Sequence, residues 1–168
     1  MNKIGEVRRS SEKERYFFGM AEEKNMTRRE AREAILSVLF SYAYTPEKSA
    51  SELEAARVRD FEGREDPYIA EAEEGVLSHL SEIDALIDAL INASAVGWSL
   101  SRISRVSLAI LRLACYEMLY RPEIPTLVSL DEAVELSKKY DDENAYSFIN
   151  GVLNRAMQSE EVRGVARG

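Results

Sequence analysis

TRREAREAILSVLFSYAY, residues 27–44, is the stretch whose reading decides the class of fold. Thr27 followed three residues later by Glu30 is a capping box: the hydroxyl accepts from one orphan backbone amide and the carboxylate reaches back to the other. Behind it Ala31, Ala34, Ile35, Val38, Leu39 and Tyr42 recur at helical spacing and form one stripe to bury. Pro46 ends the run, because the residue before a proline is pushed out of the helical region. The same syntax recurs downstream. Asp66-Pro67 pairs a capping side chain with proline at the first helical position. From Tyr68, apolar residues keep helical spacing to about Asn92, with a bend expected near 75–81. A short helix is expected at 51–58, a helical turn at 99–103 and a very apolar helix over 106–120. Ser129 with Glu132 repeats the capping box and opens a helix to about Lys139, and a last helix runs over 143–159. No sustained period-two alternation interrupts this pattern. The fold class is all-α, a compact bundle of six or seven helices with short connections.

The 168 residues suffice for one domain with a core. Residues 1–26, mixed in charge and without an apolar stripe, read as a disordered N-terminal extension; 27–159 form the domain and 160–168 a flexible tail. One cysteine, Cys115, sits in an apolar run and reads as a core residue. A single cysteine makes no internal disulfide and no secretory signal opens the chain, so the expected compartment is the cytoplasm. No apolar run approaches the roughly 20 residues that span a bilayer.

The net charge of −8 argues against indiscriminate nucleic-acid binding, so any such site is a local patch. The charge is unevenly spread. Residues 1–33 carry +2 (nine basic, seven acidic), residues 47–91 carry −9 (four basic, thirteen acidic) and residues 92–168 carry −1 (nine basic, ten acidic). Arg28, Arg29 and Arg32 crowd the first turns of the first helix, where the macrodipole makes each cation cost about 0.3–1 kcal/mol. Either an outside anion meets them, as phosphate does at helix N-termini, or they form a solvated arginine face.

Lys138 and Lys139 beside Tyr140 admit two readings as well. An aromatic ring next to lysines offers single-stranded RNA a stacking surface and phosphate neutralisation; lysines also favour helix C-termini. Glu117, in an apolar helix, has Arg121 at a spacing suited to a helix-face salt bridge and Arg112 five residues before it. Gly151, inside an apolar helix, is expected where another helix packs closely. His79, the single histidine, lacks partners at ligand spacing and reads as a rim residue, with no metal site. No phosphate-cradling glycine loop, Ser-His-Asp set or Cys-His pair is present, so the chain does not read as an enzyme and calls for no cofactor.

Five separated motifs carry a family resemblance: Trp98-Ser99-Leu100-Ser101-Arg102-Ile103; Ile110 to Glu117; Ile124-Pro125; Asp131 to Tyr140; and Phe148-Ile149-Asn150-Gly151-Val152-Leu153. With the arginine-rich opening, their order and spacing over about residues 27–157 resemble the NusB transcription antitermination family. The resemblance implies an all-helical, non-catalytic RNA-binding protein. It would bind boxA of ribosomal RNA leader transcripts with ribosomal protein S10 (NusE). With other Nus factors it would join elongating RNA polymerase and suppress premature termination.

Carried over residue by residue, the resemblance makes Arg28, Arg29 and Arg32 phosphate contacts and Tyr140, beside Lys139, the aromatic near the final loop. It sets Asn144 among RNA-proximal residues and Phe148 as an apolar surface beside them. Phe40 falls at an aromatic position that faces S10 in relatives. An acidic–basic pair commonly stands where this chain has Ser107-Leu108, so Ser107 marks an altered S10-side contact. Family members occur as monomers or homodimers. The competing reading is a purely protein-binding helical module, or homodimeric scaffold, whose arginines serve partner contact.

Overall fold

A computed structural model of the chain describes residues 26–45, 66–93 and 100–167. Met26, the last residue of the expected extension, is buried in the core. The expected helix at 51–58, residues 1–25 of that extension and the Trp98-Ser99 motif lie outside the described residues. Within them stand seven α-helices and no strand: α1 (Arg28–Tyr44), α2 (Pro67–Ser78), α3 (Leu80–Asn92), α4 (Arg105–Tyr120), α5 (Thr126–Tyr140), α6 (Ala145–Gln158) and α7 (Glu160–Arg167), with a 3-10 turn at Leu100–Arg102.

The start signals at α1 and α2 work as written. The Thr27 hydroxyl accepts from the Glu30 amide at 3.2 Å, and the Glu30 carboxylate accepts from the Thr27 amide at 2.8 Å. Asp66 caps α2 by accepting from the Tyr68 amide at 2.8 Å, with Pro67 opening the helix. The expected bend falls at His79, which separates α2 from α3.

α4 is the axis of the bundle. Every residue from Ala109 to Met118 is buried, the behaviour of a helix apolar on all sides. It packs against each of the other six described helices. Paired side chains set the directions of its neighbours. Arg32 meets Glu117 and Tyr44 meets Arg105, so α1 runs antiparallel to α4. Arg29 meets Glu132 and Glu33 meets Lys139, so α5 runs parallel to α1.

Three expectations change. The Ser129–Glu132 pair is not a capping box: α5 begins at Thr126 behind Pro125, and Ser129 lies buried inside the helix. Its hydroxyl donates to Glu117 at 2.6 Å instead, because a buried carboxylate needs donors more than an open helix end does. Residues 160–167, read as part of a tail, form α7, whose Val162 is buried against the core and which packs on α4 and α6. A Cβ added at Gly151 would meet nothing within 4 Å, so no helix packs closely there. The close approach is at Gly75 of α2, where a Cβ would lie 2.3 Å from the Tyr116 ring. Cys115 is fully buried, and burial pushes its thiol up to about 12.

Candidate nucleic-acid interface

The three arginines of α1 part company. Arg32 precedes Ile35 by three residues and Leu36 by four, so it falls on the buried side of the helix, with only 5% of its surface exposed. Its Nε donates to Glu117 Oε1 at 2.8 Å and its Nη2 to Oε2 at 3.4 Å. The Tyr68 hydroxyl also donates to Glu117 Oε1, and the Ser129 hydroxyl to Oε2. One carboxylate thus ties α1, α2, α4 and α5 together.

Burial works against the Arg32 charge, but the hydrogen bond and charge of Glu117 outweigh it and hold the guanidinium above its ordinary pKa. Burial and the neighbouring Glu117 charge push the Tyr68 phenol far up. Glu117 therefore pairs with neither arginine of its own sequence neighbourhood. Arg112 reaches Asp84 on α3, with both contacts at 2.8 Å, and Arg121 reaches Glu71 and Glu123. Glu117 is served across helices, because Arg121 stands at the C-cap of α4 and is taken by Glu71 and Glu123, while Arg112 turns to α3.

Arg28 and Arg29 do reach the surface. The Arg28 guanidinium lies 4.2 Å over the Tyr68 ring and 3.6 Å from Asp66. Arg29 forks onto Glu132, Nε to Oε2 at 3.0 Å and Nη2 to Oε1 at 2.8 Å. That hydrogen bond raises the Arg29 pKa and holds the Glu132 carboxyl below the usual carboxylate range, with burial opposing the latter.

Between α1 and α5 runs an open groove of about 320 Å³, floored by Leu136 and bordered by Arg29, Lys138 and Lys139. Lys139 Nζ lies 2.7 Å from Glu33 Oε1, and the Tyr140 hydroxyl donates to Glu33 Oε2 at 2.9 Å. The Tyr140 ring is 46% exposed, with Lys139 Nζ 5.2 Å from its centroid. Arg29 therefore shares one face with Lys139 and Tyr140, which are distant from it in sequence. Asn144 stands exposed just before α6. Phe148 is half-buried and packs against the core, so it offers an edge and not an open face.

On the side of the bundle where α1 ends, Phe40 is half-buried and meets Tyr44 edge-on at 4.9 Å; Arg105 lies 4.1 Å over the exposed Tyr44 ring. Ser107 does not point outward. It is buried, and its hydroxyl donates to Asp141 at 2.5 Å, a carboxylate that Ser104 also meets at 3.2 Å. Tyr44, Arg105, Asp141 and Tyr146 were missed by sequence reasoning. Tyr146 is 44% exposed with Lys138 Nζ 5.6 Å from its ring, the Tyr140–Lys139 arrangement repeated. Tyr44 was legible one turn after Phe40; the others are brought in by folding alone. His79 stacks on Tyr120 at 4.0 Å, and its Nδ1 lies 2.9 Å from the Gly75 carbonyl oxygen.

Comparison with known proteins places this geometry in context. A profile described as the NusB family matches residues 29–158. The transcription antitermination protein NusB of Listeria monocytogenes serotype 4a is 40% identical over 128 residues, covering 76% of this chain and 94% of that protein. Its namesake in Carboxydothermus hydrogenoformans is 39% identical over 130 residues, covering 76% and 90%. Among solved structures, NusB of T. maritima superposes with a TM-score of 0.72 at 30% identity, over 86% of this chain and 99% of that one. A chain from the crystal structure of antitermination factors NusB and NusE in complex with dsRNA superposes with 0.69 at 25% identity, over 78% and 96%.

Proposed function

The chain belongs to the NusB family, and we propose that it is an RNA-binding transcription antitermination factor that recognises boxA of ribosomal RNA leader transcripts together with ribosomal protein S10 (NusE). Joined to other Nus factors and RNA polymerase, it helps the polymerase read through terminators. The role is one of binding, makes and breaks no covalent bond, and belongs in the cytoplasm. Among the described residues no helix is long and apolar enough to cross a membrane.

The observation that carries this reading is the α1–α5 face, where Arg29, Lys139 and the Tyr140 ring converge. In this reading Arg28 and Arg29 meet phosphates, Lys139 and Tyr140 hold a stacked nucleotide, and Asn144 with the edge of Phe148 extends the contact. Tyr146 beside Lys138 offers a second ring. Arg32 acts from below: paired with Glu117, it holds α1 at the depth that presents its neighbours. Phe40, with Tyr44 and Arg105, forms the surface for S10, and Ser107 contributes by anchoring Asp141 beneath it.

Stacking on Tyr140 supplies about 1–3 kcal/mol, and each neutralised phosphate contributes about −0.7 to the logarithmic salt slope. Two or three such contacts give weak binding alone, so S10 supplies the remaining surface. Fluorescence anisotropy of a labelled boxA RNA, titrated with and without S10 over a salt series, tests the reading. Salt-sensitive binding strengthened by S10 is expected; no binding in either condition leaves a protein-binding module.

A further inference from the structure

The groove between α1 and α5 is not a simple basic patch. Its cations Arg29, Lys139 and Lys138 face the carboxylates Glu132, Glu33 and Glu135 one to one. Two of these pairs are lopsided. The Glu132 and Glu33 side chains are 17% and 15% exposed, against 58% and 57% for Arg29 and Lys139. The acids are thus set into the floor, and the cations lean over them from the rim. Glu132 is further held by Arg32 Nη1 at 3.9 Å, and Glu33 by the Tyr140 hydroxyl. The Lys138–Glu135 pair, at 3.4 Å with both members half exposed, opens at little cost.

A phosphate approaching Arg29 or Lys139 meets a carboxylate already on the same N–H groups. The acid is packed in place and does not leave, so the cation must turn from it, and the phosphate then sits beside a like charge. We propose that Glu33 and Glu132 are built-in competitors of phosphate that hold down the RNA affinity of this face and so sharpen its selectivity. The proposal rests on the RNA-binding reading above. A generic polyanion finds three neutralised pairs and gains little. An RNA that also stacks a base on Tyr140, whose hydroxyl is engaged by Glu33, has a second source of binding energy to offset the opened pairs.

The test uses the full chain and its Glu33→Gln and Glu132→Gln variants, titrated by anisotropy against labelled boxA RNA and oligouridine of equal length over a salt series. Each variant is expected to bind boxA RNA about two- to fivefold tighter than the parent, with a larger gain on oligouridine. On oligouridine, which leaves the pairs of the parent closed, the salt slope should steepen by about 0.7 as one more cation becomes available to phosphate. Lys139→Met should lose more affinity in the Glu33→Gln background than in the parent. Glu74→Gln, the same charge change on an exposed α2 position, should leave binding unchanged. Unchanged or weaker binding by folded Glu33→Gln, with the parent binding normally, overturns the proposal. Should Glu132→Gln disturb folding through Arg32, Glu33→Gln decides alone. If no protein binds either RNA at any salt, the RNA-binding reading falls and this inference with it.

Discussion

Arg28, Arg29 and Arg32 lie within five residues of one helix and have three fates: stacked on Tyr68, forked onto Glu132 at the surface, and sunk onto Glu117. Burial separates them energetically. Removing one partner of a buried ion pair strands the other, so Arg32→Met should destabilise the fold by about 3–5 kcal/mol in urea unfolding, while Arg29→Met should cost no more than about 1 kcal/mol. The Glu132 carboxyl supports a pH prediction. Arg29 holds it below the ordinary carboxylate value of about 4.3, so the folded chain takes up this proton less readily than the unfolded one. The stabilisation is complete above about pH 4.3 and is lost as the pH falls through the lower folded value. Thermal midpoints of the parent and Glu132→Gln should therefore differ at pH 6, and the gap should shrink as the pH falls below about 4.3 and through the lower folded value; a constant gap would contradict the pairing.

At the scale of elements, the two glycines exchange roles. Gly75 of α2 accommodates the Tyr116 ring, and Gly151 of α6 faces open space. Gly151→Ala should stabilise by up to about 1 kcal/mol, the helix propensity that glycine forgoes. Gly75→Ala should destabilise by about 1–3 kcal/mol, because the buried Tyr116 ring has to shift. Paired thermal melts of the two variants, with opposite signs expected, check both. Start signals written in contiguous residues were legible at α1 and α2, since the capping side chain and the amide it serves are neighbours. The start of α5 was misread because Ser129 answers to Glu117, twelve residues back and on another helix. α7 was passed over because eight residues carry too little periodicity; its place comes from Val162 meeting α4 and α6.

Over the whole molecule, a chain of net charge −8 repels RNA at long range, so binding depends on contacts short enough to escape screening. The Arg28→Ala, Arg29→Ala double variant should flatten the salt slope on boxA RNA by about 1.4, two phosphates' worth, and weaken its binding. Its melting temperature should stay near that of the parent, since neither guanidinium is buried. A variant that loses RNA binding with an unchanged slope would show that these arginines do not meet phosphate.

The helical class, the cap at Thr27, the break near His79, the apolar α4 and the exposed aromatic at Tyr140 were determined by sequence alone, because each depends on residues within a few positions of one another. Which cations face water was not. Helical spacing sets Arg32 one turn before Ile35 and Leu36, but only the arrival of Glu117, Tyr68 and Ser129 from three other helices lets a guanidinium stay buried there. The same holds for the acids beneath Arg29 and Lys139. Glu132 and Glu33 are more than a hundred residues from the cations they neutralise, and no local pattern encodes a charge pair that exists only once α1 and α5 lie side by side.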